Sequence, residues 1–261
     1  MDLQRDALLC GAAALAGAIN SIAGGGTLLS FPAAIAWGLP STVANATNAV
    51  AMMPGSLASA WAYRNEIRKS SRLAGLLLPP ALVGGVAGAM LLYVTPVRVF
   101  DAVVPWLVLA ATLLILFQPR ARSPESHAPA SRPSRPSRRY ELAAVACQLG
   151  VGIYGGFFGA AMGIVMLGFL SLVTSEDIHH KNALKTVLAV AINGVASVYF
   201  VFAGLVSGRA ALVMIAGAVV GGYAGGRLAR KIPARAVRAL VVAIGLGLSA
   251  LLGYRALASS A

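Results

Sequence analysis

Apolar runs of about 20 residues, separated by short charged or Pro/Gly-containing stretches, set the pattern of this chain. Six stand out: 43–63, 73–93, 99–117, 182–204, 210–228 and 236–252. A helix of about 20 apolar residues matches the hydrocarbon thickness of a bilayer, so each run predicts a membrane-crossing helix. Two further apolar regions, 7–37 and 142–174, are too long for one untilted span and too short for two, and glycines break each near its middle. Each is either a re-entrant helical hairpin or one long tilted helix. Residues 118–140 form a Pro/Ser/Arg-rich linker with too little apolar content to fold, which divides the chain into a first half, 1–117, and a second half, 141–261.

The halves are related by an ungapped offset of 137 residues. It carries Gly84–Ala89 (GGVAGA) onto Gly221–Gly226 (GGYAGG), Pro96 onto Pro233, Arg98 onto Arg235, Cys10 onto Cys147, Gly26 onto Gly163 and Asn45 onto Asn182. The broken regions are therefore paired as well. Lys and Arg gather at 64–72, in the linker and at 227–238. Placing all three segments in the cytoplasm requires region 142–174 to return to its own side, and by the repeat region 7–37 does the same. Three crossings plus a hairpin per half leave the halves inverted, with hairpins entering from opposite faces. The alternative is eight ordinary spans with parallel repeats.

Composition agrees with an all-α polytopic membrane protein: 58% hydrophobic residues, 11% charged and a mean hydropathy of +0.79 exclude an ordinary soluble globule. The net charge of +13 sits in the basic loops, so nucleic acid is not the expected partner; the lipid bilayer is. The first apolar segment carries Asp2 and Asp6 and runs on past a glycine break, and it is read as retained. Cys10 and Cys147 lie in apolar segments without His or carboxylates nearby and read as small core residues, with neither metal nor cofactor implied.

All eight acids fall at expected ends, turns or the linker, so no buried carboxylate is at hand as a proton relay or cation ligand. A neutral or positive interior suits an anion. Backbone N–H groups at a half-helix N-terminus bind oxyanions without a cationic side chain. After Gly24, Gly25 and Gly26 the helix must restart, with Thr27 as cap and Leu28, Leu29 and Ser30 offering N–H groups. Asn20, Ser21, Asn45, Thr47 and Asn48 stand around this break. In the second half the break at Gly155, Gly156 and Gly159 to Gly163 precedes Ile164 and Val165, with Asn182, Lys185, Thr186 and Asn193 on the next span. Lys185 either snorkels to the interface or adds an anion-attracting charge. The glycines Gly84, Gly85, Gly88, Gly221, Gly222 and Gly225 read as close helix packing. His179 and His180, beside Glu176 and Asp177, read as a solvated connector. No nucleophile stands with a base, so no catalytic residue and no enzyme are expected.

The stretch Ile22–Arg64 resembles the signature of the sulfite exporter TauE/SafE family. The matching elements are the glycine break Gly24 to Gly26, Pro32, the turn Gly38 to Pro40, the entry Ala44 to Asn48, and the exit Tyr63 with Arg64. The resemblance implies a multi-pass transporter of the bacterial inner membrane for a small sulfur-containing or organic anion. The second half departs from the pattern, reading GGFFGAAMG over Gly155 to Gly163. The expectation is alternating access by movement of one repeat against the other, with sulfite or an organosulfonate as cargo. Carriage of small carboxylates, an enzyme acting on lipid phosphates and a non-transporting structural membrane protein are the rivals; homo-oligomerisation is left open.

Overall fold

The computed structural model describes residues 2–22, 25–62, 71–117, 138–174, 178–228 and 239–250. The expected linker lies almost wholly outside them, as do most of the basic segments 64–72 and 227–238. Among the described residues all regular structure is helical: α1 Asp2–Ile22, α2 Thr27–Trp37, α3 Ser41–Ala62, α4 Ser71–Val94, α5 Val97–Phe117, α6 Arg138–Phe157, α7 Met162–Val173, α8 Ile178–Phe202, α9 Gly208–Leu228 and α10 Ala239–Ala250. Shifted by 137 residues, α1 to α5 fall on α6 to α10 in order. Three segments, Leu73–Val94, Val97–Phe117 and His180–Phe202, have the length and apolarity to cross a membrane.

Regions 7–37 and 142–174 are each split into a long and a short helix, as glycine breaks dictate. The first pair closes into a hairpin whose ends meet. At the close of α2, Trp37 Nε1–H donates to Asp6 Oδ1 near the start of α1 at 2.9 Å. Arg209, at the start of α9, pairs with Asp6 Oδ2 at 2.8 Å. The Arg209 guanidinium and then the Trp37 indole N–H hold the Asp6 carboxyl below the usual carboxylate range. The α2 end follows from the Gly38 to Pro40 turn. Gly38 has φ +122°, and the N–H of Leu39 reaches back to the Ala34 carbonyl at 3.2 Å, a glycine-dependent stop that Pro40 reinforces.

The strongest packing runs between halves: α1 lies along α9 and α6 along α4. Small residues make this approach possible. A Cβ on Gly221 would strike the Ala14 carbonyl, one on Gly217 the Cys10 carbonyl, and one on Gly88 the Ile153 carbonyl. The packing reading of Gly84, Gly85, Gly88 and Gly221 therefore holds. The same contacts fix direction. Gly84 meets Leu149 and Gly152, and Gly88 meets Phe157, so α4 and α6 run parallel. Gly85 meets Ile192 and Tyr93 stacks edge-on with Tyr199 at 6.1 Å, so α8 is parallel to both. By contrast Met53 touches Gly194 while Ser207 N–H donates to Thr47 Oγ1 at 3.1 Å, so α3 and α8 are antiparallel.

Burial is distributed as a membrane demands. Trp106, Phe202 and Leu212 are 71%, 88% and 71% exposed, whereas Ser30, Thr47, Asn48 and Thr112 are buried. Both cysteines are free, and Cys147 faces outward on α6 instead of lying in the core as expected.

Candidate functional site

Both helix breaks meet at one cavity of about 40 Å³, walled by Thr27, Asn45, Asn48, Ala49, Met52, Gly155, Gly156, Phe158, Gly159, Asn193 and Phe200. That volume admits water or a small ion. Its polar groups come from α3, from the N-terminus of α2 and from α8. Its apolar walls are Met52, Phe158 and Phe200, with Phe158 held edge-on to Phe31 at 5.5 Å. None of the eleven wall residues carries a charge.

Local bonding explains how the walls are held. Asn45 Nδ2 donates to the Phe157 carbonyl at 2.9 Å, joining α3 to the last turn of α6 across the two halves. A carbonyl at a helix C-terminus carries partial negative charge, and this amide covers it. Asn48 Oδ1 accepts from Ser30 Oγ at 2.6 Å, tying α3 to the restarted helix α2. In the second break, Tyr154 Oη donates to the Ala160 carbonyl at 2.5 Å. Gly159 takes φ +70° and Ala161 φ +56°, the latter a left-handed conformation costly for a residue with a Cβ.

The first break is capped differently from expectation. The residue preceding α2 is Gly26, no side chain caps the helix from that position, and Thr27 is its first helical residue instead of its cap. Asn20 Oδ1 accepts the Gly26 N–H at 2.8 Å, so Asn20 closes the broken end, and its amide also reaches Met52 Sδ at 3.8 Å. The N–H groups of Leu28, Leu29 and Ser30, expected free, bond to the carbonyls of Gly25 and Gly26 at 2.9–3.2 Å. In the second break Ile164 and Val165 likewise bond to the Ala161 carbonyl at 2.8 and 3.3 Å. What faces the cavity at α2 is Thr27 and the helix dipole, and at α7 the turn at Gly159.

Of the residues singled out from sequence, Thr27, Asn45, Asn48, Gly159 and Asn193 converge on the cavity. Gly25, φ +85°, faces Ile115 and Val241, and Gly26 abuts α1 at Ala16. Thr47 supports the α8–α9 connection through Ser207. Lys185 Nζ donates to Asn182 Oδ1 at 3.2 Å, Thr186 Oγ1 to the Asn182 carbonyl at 2.7 Å, and the Lys185 chain lies against Gly163. Gly24 lies outside the described residues, and the Ser21 side chain is not described. Sequence reasoning missed Ala49, Met52, Phe158 and Phe200; Ala49 and Met52 follow Asn45 and Asn48 at helical spacing, which was the available signal.

Helices throughout the described residues, segments of membrane-crossing length and a polar cavity at two helix breaks place the chain in the class of integral membrane proteins. Residues 9–252 match the family described as sulfite exporter TauE/SafE, and the chain belongs to that family. It is 30% identical over 244 residues to the "Probable membrane transporter protein YfcA" of Escherichia coli K12, covering 93% of this chain and 87% of that protein. It is 29% identical over 249 residues to the "Probable membrane transporter protein ORF9" of Sinorhizobium sp, with 93% and 90% covered. A "Probable membrane transporter protein" of Haemophilus influenzae is 26% identical over 236 residues, with 90% and 89% covered. No solved structure matches.

Proposed function

We propose that this protein is a multi-pass transporter of the bacterial inner membrane that exports a small oxyanion, with sulfite as favoured cargo, by alternating access. The observation that carries the reading is the uncharged cavity where the two helix breaks meet, walled by Thr27, Asn45, Asn48 and Asn193. Thr27 at the N-terminus of α2 and the Gly159 turn that precedes α7 wall it, and a helix N-terminus favours negative charge, while Asn45 masks the Phe157 carbonyl. Amide and hydroxyl donors then supply directional bonds. A cavity of about 40 Å³ suits a small ion such as sulfite; an organosulfonate requires the cavity to widen. The printed names of the relatives support transport as the class of activity.

The halves 1–117 and 141–261 are inverted repeats in this reading. Helices α3 and α8 correspond by the repeat yet run antiparallel, which supports an axis in the membrane plane over one along the normal. Both α6 and α8 run parallel to α4, which supports reading α6–α7 as a re-entrant hairpin in which α7 carries the chain back. The Trp37–Asp6 bond supports the same reading of α1–α2. The deciding experiment is efflux from proteoliposomes loaded with sulfite, sulfate, taurine or acetate. Sulfite efflux that Asn45→Ala abolishes supports the proposal. Efflux of none of them, or efflux unaffected by that substitution, refutes it.

A further inference from the structure

Gln148 is fully buried on α6, and neither Nε2 nor Oε1 has a hydrogen-bond partner. A buried amide without partners costs of the order of 1–3 kcal/mol, so a position that retains one in an apolar interior needs a reason. Its equivalent by the repeat, Gly11 on α1, has open space around it, so the feature belongs to the second half alone. At 100° per residue, Gln148 lies within about 20° of Gly155 on the face of α6, and about 10 Å along the axis from it. Gly155 and Gly159 wall the cavity. The face bearing Gln148 therefore leads directly from it. Ala144 and Val151 flank this face and belong to an apolar cluster with Met162 and Met166 of α7.

The same geometry places a partner on α8. Gly155 faces Ile192, and α6 and α8 run parallel. Seven residues before Ile192, on the same face to within about 20°, stands Lys185, whose stem lies against Gly163 of α7. By the repeat Lys185 falls on Asn48 and Asn182 on Asn45, so the Asn182–Lys185 pair is the second-half counterpart of the two asparagines that wall the cavity. Where the cavity lacks a cation, its counterpart has one.

We propose that Gln148 and Lys185 form a second anion station, two helical turns from the cavity, which opens when α7 withdraws Met162 from Gly155. The inference rests on the oxyanion reading of the cavity. In the present conformation Met162 of α7 lies against Gly155, Gln148 is unpartnered and Lys185 rests on Asn182. With α7 displaced, the amide N–H and the ammonium together receive the anion leaving the cavity. Methionines suit such a plug, being unbranched and easily repacked.

Two measurements on the full chain test this. In protein carrying Cys10→Ser and Cys147→Ser, Gln148→Cys in liposomes is expected to react with 2-aminoethyl methanethiosulfonate at least tenfold faster than Val151→Cys. By calorimetry in detergent, Gln148→Leu and Lys185→Gln are each expected to weaken sulfite binding about tenfold, while the ligand-free melting temperature of Gln148→Leu rises because an unpartnered amide has been removed. Wild-type sulfite affinity in Gln148→Leu, or a Gln148→Cys thiol as inert as Val151→Cys, overturns the station and leaves the cavity reading standing. Failure of the wild-type protein to bind sulfite overturns the cavity reading, and the station with it.

Discussion

Asn193 offers the cleanest test of the sign of the cargo's charge. It walls the cavity from α8, whereas the bonds that hold the walls belong to Asn45 and Asn48. Asn193→Asp keeps the shape and exchanges an amide for a carboxylate. In a cavity of about 40 Å³ no occupant sits far from any wall. At a separation of about 4 Å and an effective dielectric constant of about 20, repulsion between unit charges is about 4 kcal/mol, or nearly a thousandfold in affinity. Burial and the anion itself both raise the new carboxyl's pKa, so the variant should bind almost normally when acidic and lose affinity as pH rises through that pKa. Calorimetric titration with sulfite, variant against wild type at each pH from 5 to 8, cancels any protonation of the ligand. Unchanged or tighter binding at a pH where infrared spectroscopy shows the introduced carboxyl ionised would show that the occupant is not an anion and would remove the basis of the proposed function.

Three further outcomes are expected. Gly221→Ala drives a Cβ into the Ala14 carbonyl and should sharply lower folded yield in detergent-solubilised membranes, while Gly11→Ala, with open space around it, should not; equal yields would dismiss the close packing of α1 on α9. Thr47→Val removes the acceptor for Ser207 N–H and should lower stability by about 1 kcal/mol without changing sulfite affinity, so a loss of affinity at unchanged stability would return Thr47 to the binding site. Because the Asp6 carboxyl titrates below its unfolded value, near 3.9, its contribution is present above that pH and disappears as pH falls through the folded pKa. Melting temperatures of wild type and Asp6→Asn should therefore differ at pH 6 and converge below about pH 4, and a gap independent of pH would dissociate Asp6 from its bonds to Arg209 and Trp37.

Much of this architecture was legible because hydrocarbon leaves the chain few options. Apolar runs gave the helices within a few residues, the triple glycine located the first break, and the offset between halves carries α1 to α5 onto α6 to α10 in order. The cavity was legible only in part. Asn45 and Asn48 belong to it, but Thr47 between them points to Ser207, since one residue rotates a helical position by 100°. Which face of α3 lines the cavity depends on the rotation of that helix, set by contacts such as Met53 on Gly194 that join distant parts of the chain. The N–H groups after each break were misread for a local reason: Gly25, Gly26 and Ala161 supply their own carbonyls to the restarted turn. Asn20 as the group that closes the first break, and the apolar walls Phe158 and Phe200, depend on how the chain returns upon itself.

The crossing of helices between halves changes what can move. Since α1 is keyed by glycines into α9, and α6 into α4, neither half can shift as a piece without tearing an interface in which backbone meets backbone. In the proposed transport cycle the units that move are then chimeric, one containing α1 and α9, the other α4 and α6 with α8 alongside. The Asn45 bond to Phe157 joins α3 to the second unit. A protein cut within 118–140 and supplied as two chains would reconstitute only by exchanging these helices, and each chain alone would present an unfilled glycine groove to lipid.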